Sequence, residues 1–267
     1  AEPRSKDIIM QNKARKRVVQ NLLTDRSVIN RNVDSIAPQP VELNVAIGPR
    51  QAAVTMPLVD SRAIVLLLEI DSDLMDRLDG RFAATPNVTI HSGDALRMDF
   101  AELTNNRPFR LVGNLPYNIS TPLLFHVLQW NRLISDMHIL LQKEVVNRMA
   151  AVPGGKAWGR LSVMCQYHCR VTPLFTVPPS AFSPAPRVES AIVRLEPYDD
   201  PPAQISDMAC FERVIAQAFS MRRKTVRNSL RKLVDASSME KAGIDPGARP
   251  ETLSLEQFAK LSHLINK

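Results

Sequence analysis

The segment Asn114-Leu115-Pro116-Tyr117 follows the apolar run 109–112, so it falls where a buried strand would end. Within four positions it offers a side-chain amide, main-chain carbonyls and a phenol ring. Amide oxygen and carbonyls accept hydrogens, and an aromatic face stacks on a planar heterocycle. Together they can hold an exocyclic amine beneath a reactive carbon. The chemistry indicated is methylation of an amino group on a base.

A second constellation is spread along the chain. Gly48 follows the apolar run Leu43–Ile47, Glu69 stands 21 positions later near the end of the run 63–70, and Asp94 follows the run 87–90. A glycine closing a first strand, with an acid about 20 residues on, approaches the spacing at which a carboxylate meets ribose hydroxyls. A carboxylate at the next strand end can accept an adenine amino hydrogen. Each residue alone is as well explained by a solvated strand end. In order, Gly48, Glu69, Asp94 and Asn114 give one residue per successive strand end, converging on one crevice.

The elements that must position these residues alternate in type. Apolar runs at Leu43–Ile47, 63–70, 87–90, 110–112 and 137–141 predict buried strands. Between them lie helix-like segments such as Ser72–Phe82, where Leu74, Leu78 and Phe82 recur every four residues, and 121–129. This is an α/β pattern, a doubly wound Rossmann-like sheet that takes ligands at the carboxyl ends of its strands. Segments 161–177 and 190–195 read as two long strands around the proline-rich loop 178–186, closing the sheet antiparallel. The composition break at 197–202 predicts a linker between a domain over 1–196 and a small all-helical domain over 203–267. There, 210–219, 222–234 and 254–265 are predicted helices, with Ser254 as an N-cap. Phe211, Val214, Ile215 and Ala218 form one apolar stripe and Val226, Leu230 and Leu233 another, both suited to packing in a small core.

Length and composition narrow the classes further. A chain of 267 residues with 45% hydrophobic content can bury one large core. The best apolar stretch, 63–68, is far short of a membrane span and ends at Glu69, so no membrane partner is expected. Residues 1–17 are polar and basic, without the apolar core of a secretory signal. Three cysteines, an odd number, argue for reduced thiols and a cytoplasmic setting. The net charge of +7 is concentrated in Arg222, Arg223, Lys224, Arg227, Arg231 and Lys232, with no acid among them, and in Lys13, Arg15, Lys16 and Arg17. These ten exceed the net charge, so the remainder is mildly acidic. Such concentration fits contact with a polyanion; a solvated helix face is the plainer alternative.

These motifs resemble the adenine-N6 dimethyltransferases of small-subunit (16S) ribosomal RNA, most closely the bacterial branch. The resemblance covers nearly the whole chain. It rests on Ala14-Arg15-Lys16-Arg17 with Gln20-Asn21, Glu69-Ile70-Asp71, Gly93-Asp94-Ala95, Gly113-Asn114-Leu115-Pro116-Tyr117-Asn118-Ile119-Ser120, Gln142-Lys143-Glu144-Val145, Gly159-Arg160-Leu161-Ser162-Val163, Pro178-Pro179-Ser180-Ala181-Phe182-Ser183-Pro184 and Arg222-Arg223-Lys224-Thr225.

The resemblance implies a class I methyltransferase sheet and S-adenosyl-L-methionine as cofactor. It also implies paired adenines in a hairpin loop near the 3′ end of small-subunit rRNA as substrate, presented in an assembling subunit. A monomer is expected. By the same resemblance Gln20 and Asn21 lie near the methionine end of the cofactor, with Leu23 and Gly48 also in its site, Glu69 on the ribose and Asp94 on the adenine amine. Asn114, which also borders the cofactor, and the carbonyls of Leu115 or Pro116 would take the hydrogens of the target N6. Tyr117 and Phe182 would stack on the flipped base. Arg15, Lys16, Arg17, Arg222, Arg223, Lys224, Arg227 and Arg231 would meet RNA phosphates.

The reaction asks little covalent help of such a protein. An amine conjugated into a ring is a poor nucleophile because its lone pair is delocalised. Hydrogen bonds that draw N6 toward tetrahedral geometry restore the lone pair, and in-line placement supplies the rest by orientation. The methylated ammonium is acidic enough to lose its proton to water.

The chain departs from the family at the cofactor. The expected acidic-x-Gly-x-Gly reads Ala46-Ile47-Gly48-Pro49-Arg50, and Phe-Gly before Gln-Asn becomes Val18-Val19. Losing the acid and gaining Arg50 makes the crevice more positive against a cationic sulfonium. Two functions of different class follow: an active RNA adenine dimethyltransferase, or a catalytically impaired assembly and RNA-binding factor on the same fold.

Other candidates read as structure. Cys165, His168 and Cys169 have a metal-like spacing, but in a strand they would alternate faces, so packing is the expectation and no metal is predicted. His91, His126, His138 and His263 have no triad partners. Lys143-Glu144 opens a helix and reads as structural or as an RNA contact.

Overall fold

All five apolar runs form strands of one sheet in the computed structural model, which describes residues 21–48, 53–115, 119–221 and 223–265. After a two-residue strand β1 (Leu22–Leu23) come β2 (Leu43–Ile47), β3 (Ile64–Glu69), β4 (Val88–Ser92), β5 (Phe109–Asn114) and β6 (Ile134–Gln142). Three more follow: β7 (Cys169–Val177), β8 (Phe182–Ser183) and β9 (Ser190–Pro197). The seven-stranded sheet has the order β4-β3-β2-β5-β6-β9-β7. Pairs from β4 to β6 are parallel, and β9 runs antiparallel to both β6 and β7. β1 and β8 form a separate antiparallel pair that sets Leu23 opposite Phe182.

Among the described residues seven helices serve the sheet: α1 (Arg26–Ile36), α2 (Thr55–Asp60), α3 (Ser72–Phe82), α4 (Phe100–Leu103), α5 (Ser120–Val127), α6 (Lys143–Met149) and α7 (Arg160–His168). Aspartates start three of them. Asp25, Asp71 and Asp99 each accept two main-chain N–H groups of the first turn, satisfying donors that have no partner within the helix. Strand alternation then divides the interior. Val45, Ile47, Leu66, Leu68 and Leu111 face a core shared with Leu123, Leu124 and Val127 of α5. Ala46, Val65, Leu67 and Val112 face Ile36, Leu58, Leu78 and Phe82 of α1, α2 and α3. With both faces covered, the strands read as continuous apolar runs, and each fully buried aliphatic contributes roughly 1.5–3 kcal/mol.

Two expectations are corrected. Residues 161–168 are the helix α7, not the first half of a long strand, which begins only at Cys169. Leu161 and Cys165 face the main core, whereas Val163, Met164 and Tyr167 pack on the carboxyl-terminal helices. Burial on two sides makes the helix apolar all round and erases the one-sided stripe by which a helix is recognised. Its start is fixed by Ser162, whose hydroxyl accepts from the Gly159 N–H at 3.1 Å and donates to the Arg148 carbonyl at 2.5 Å.

Residues 223–234 likewise do not form the one long helix expected over 222–234. Beyond α8 (Met208–Phe219), helical structure resumes only at α9 (Val226–Ser229), followed by turns and by α10 (Ala236–Lys241), which the sequence pattern did not signal. The Val226 and Arg227 N–H groups donate to Ala248 and Pro246 carbonyls at 2.8 and 3.0 Å, tying this stretch to the 245–248 turn. The last helix, α11 (Leu255–Ile265), starts at Ser254, whose hydroxyl accepts from the Gln257 N–H while the Gln257 side chain accepts from the Ser254 N–H.

The carboxyl-terminal helices share their core with Trp158, Val163, Met164 and Tyr167, and the Trp158 indole donates to the Leu253 carbonyl at 2.9 Å. At the amino ends of the parallel strands sits a buried ion network. Arg110 pairs with both oxygens of Asp136, at 2.7 and 3.0 Å, and with Glu42 at 3.0 Å, while Arg194 joins Asp136 at 3.1 Å.

Candidate active site

Because β2 to β5 are parallel neighbours, their carboxyl ends lie on one edge of the sheet, and the ordered series of the sequence arrives there. Gly48 follows β2, Glu69 is the last residue of β3, and Asn114 is the last of β5. Asp94 stands two residues past β4, in a turn rather than at the strand end. Between β2 and β5 the strand order reverses direction, the topological switch point at which open α/β sheets take their ligands.

Gly48 has φ +64°, a conformation penalised for residues with a Cβ, and its N–H donates to the Leu68 carbonyl at 3.2 Å. Gly113 suits a close approach of main chain. A Cβ there would stand 3.1 Å from a Leu115 methyl and 3.3 Å from the Ile47 carbonyl oxygen, so a side chain would be tight and would push these neighbours by a few tenths of an ångström. Main chain is thereby brought close on both sides of the crevice.

Glu69 is buried, and its carboxylate is held in one orientation. Oε1 accepts from the N–H groups of Ile70 and Asp71, each at 3.0 Å, while Oε2 is buried without a partner among the described residues. A buried, unmet carboxylate oxygen is costly unless a ligand completes it. The Asp94 carboxylate is half-exposed; Oδ1 accepts from the Leu96 N–H at 3.0 Å and Oδ2 lies 3.8 Å from Arg97 Nε.

A pocket at the switch point is lined by Leu22, Leu23, Asn32, Ala46, Gly48, Gly113, Asn114 and Leu140, among others. It brings together Leu23, Gly48 and Asn114 of the expected site; Glu69 and Asp94 lie along the same sheet edge beyond its lining. Asn21 precedes β1, half-buried, and the Asn114 side chain is exposed. Leu115 is 2% exposed. Phe182 is also buried, packed with Leu23, Val177, Ala181 and Ile192, so stacking on a base would require its ring to be uncovered. Gln20, Pro116 and Tyr117, together with Arg15, Lys16, Arg17, Val18, Val19, Pro49, Arg50 and Arg222, lie outside the described residues.

Arg223, Lys224, Arg227, Arg231 and Lys232 are exposed, and none pairs with a carboxylate among the described residues. Lys143 is tied to Glu189 at 2.8 Å. Cys165 and Cys169 are packed in the main core, and burial pushes both thiols up, Cys169 to about 12.

Asn32 and Thr55 are polar pocket residues that sequence reasoning missed, and Asn32 left a signal. In α1 the residues Ile29, Asn32, Val33 and Ile36 fall on one helical face, so a polar residue stands in the apolar stripe. That interruption was the available signal.

Sheet order, switch-point pocket and acidic strand ends define a class I methyltransferase fold. A 23S rRNA methyltransferase, ErmE, superposes with a TM-score of 0.70 at 25% identity, covering 92% of this chain and all of that one. A dimethyladenosine transferase from Plasmodium falciparum shares the fold with a TM-score of 0.76 at 23% identity, over 90% of this chain and 95% of its own. The sequence matches the family Ribosomal RNA adenine dimethylase over residues 11–267, and the chain belongs to that family. Proteins named ribosomal RNA small subunit methyltransferase A are similar over nearly full length. That of Chromohalobacter salexigens is 50% identical over 94% of this chain and 91% of its own, and that of Vibrio cholerae 48% over 97% and 96%. The chain is an S-adenosylmethionine-dependent rRNA adenine methyltransferase by descent and fold. The impaired-factor alternative, raised by Ala46 and Arg50, is not favoured.

Proposed function

We propose that this protein dimethylates N6 of paired adenines in a hairpin loop near the 3′ end of small-subunit rRNA, in the assembling subunit. The observation that carries the assignment of the site is the buried, unpartnered Oε2 of Glu69 on the same sheet edge as Gly48, at positive φ, and the exposed amide of Asn114.

The residues present fit S-adenosylmethionine. Glu69 Oε2 would accept from its ribose hydroxyls, Asp94 from its adenine amine, and Gln20, Asn21, Leu23 and Gly48 would hold its methionine end. The cofactor supplies a sulfonium-bound methyl with a good leaving group. Asn114 and the carbonyls of Leu115 or Pro116 take the hydrogens of the target amine and draw its nitrogen out of conjugation. Tyr117, with Phe182 once its ring is uncovered, would stack on the flipped base.

The exposed arginines and lysines of 223–232, with Arg222 and Arg15 to Arg17, suit phosphate contact. We assign residues 1–196 to the methyltransferase domain, 197–202 to a linker and 203–267 to a small RNA- and ribosome-contacting domain. A cytoplasmic monomer fits this role; no helix among the described residues is long and apolar enough to cross a membrane.

The test is calorimetric titration with S-adenosylhomocysteine, followed by methylation of undermethylated small subunits and mass mapping of the modified bases. Micromolar binding and dimethyladenosine in the 3′ hairpin are expected. Methyl transfer confined to another site would overturn the substrate assignment.

A further inference from the structure

Asn32 is 6% exposed, and its Oδ1 is buried with no hydrogen-bond partner among the described residues. It lines the switch-point pocket together with Ala46, Gly48 and Asn114. Strand alternation sends Ala46 to the side of the sheet covered by α1, the helix that carries Asn32. The position at which the family pattern has a carboxylate therefore holds a methyl group here. The same pocket contains an uncharged acceptor whose hydrogen bond is unmet.

Buried amide oxygens without partners are rare in folded proteins, and each calls for a group that completes it. Leu58, Val112 and Leu140 also line the pocket and offer a polar ligand nothing. The ligand group that completes Oδ1 must be a hydrogen-bond donor. An ammonium is such a donor, and a hydrogen bond to a charged group is stronger than one between neutral groups. The amino-acid end of the cofactor bears one.

We infer that Asn32 is a specificity-determining residue of this pocket, its Oδ1 accepting a hydrogen from the cofactor's ammonium in place of a carboxylate at position 46. The inference rests on the cofactor reading above and deepens it. Asn32 thereby selects ligands that carry the amino-acid group over nucleosides that lack it.

The experiment compares two ligands by calorimetry: S-adenosylhomocysteine, which has the amino-acid end, and 5′-methylthioadenosine, which does not. Asn32→Leu should weaken S-adenosylhomocysteine roughly tenfold and leave 5′-methylthioadenosine within about twofold, as expected for one hydrogen bond to a charged group. Asn32→Asp should retain S-adenosylhomocysteine binding. Equal weakening of both ligands, or no change in either, would overturn the inference and leave Asn32 a packing residue. Should Asn32→Leu fail to melt cooperatively, Asn32→Ala decides: weakening confined to S-adenosylhomocysteine supports the assignment, and equal effects on the two ligands refute it. Wild-type protein that binds neither ligand would overturn the cofactor reading itself, and this inference with it.

Discussion

A Cβ built on Gly48 would stand 3.7 Å from the main-chain oxygen of Asn114, so the residue that closes β2 lies against the residue that closes β5 across the switch point. That distance is ordinary contact, so space does not forbid a side chain at position 48; the positive φ does. Gly48→Ala should lower stability by about 1–2 kcal/mol through backbone strain. It should also weaken S-adenosylhomocysteine binding, as the chain relaxes and its N–H leaves the Leu68 carbonyl. Thermal melting and titration of one preparation check both; unchanged affinity would detach Gly48 from the ligand.

Glu69→Gln keeps an oxygen for the Ile70 and Asp71 N–H groups but replaces the unmet carboxylate oxygen by a donor. The variant should fold normally and bind S-adenosylhomocysteine roughly 10–100-fold less tightly, the range for a lost hydrogen bond to a charged acceptor. A melting point that collapses while affinity holds would make Glu69 a structural anchor instead.

Asn114→Ala removes an exposed side chain, so stability should be nearly unchanged. The turnover rate should fall about 10²–10³-fold, the order seen when one group preorganised for a transition state is lost. Single-turnover methylation of small subunits measures it. A change confined to KM for RNA would place Asn114 in docking.

The Arg110–Asp136 pair governs acid stability. Burial raises the Asp136 carboxyl, but Arg110, His138 and Arg194 outweigh it and hold the group below 3.8. Its contribution is therefore complete above pH 3.8 and is lost as pH falls through the lower folded value. Burial also depresses His138 below 6.5 despite the nearby Asp136, and its Nδ1 has no hydrogen-bond partner among the described residues. The unfolded chain thus takes up that proton first, and stability declines from pH 6.5 downward until the folded value is passed. Melting curves from pH 7.5 to pH 3, chosen as roughly spanning both transitions, should show a shallow loss that His138→Gln reduces, then a steep one. His168, likewise depressed by burial, sustains the remainder of the first. Asp136→Asn should cost about 3–5 kcal/mol at neutral pH, because it leaves the Arg110 charge buried and incompletely paired.

Reversing Arg223 and Arg227 to glutamate should weaken binding to a 3′ hairpin RNA and flatten the dependence of log affinity on log salt. Both side chains are exposed and project from the stretch anchored by buried Val226 and Leu230, so folding should persist. An unaltered salt slope would return the segment to a solvated surface.

The sequence by itself determined the alternating sheet and the strand-end placing of Gly48, Glu69 and Asn114, though not of Asp94, because strands buried on both faces must be continuous apolar runs and parallel strands carry their ends to one edge. It also determined the helix Ser72–Phe82, whose single apolar face repeats at the helical period. Tertiary structure alone decided the rest. α7 hides its period because two cores bury opposite sides of it, and α9 is cut short where Val226 and Arg227 bond to the 245–248 turn. The unmet oxygens of Glu69 and Asn32 depend on burial and on which donors lie within reach. Residue order does not encode either quantity locally, since both arise from segments far apart in the chain.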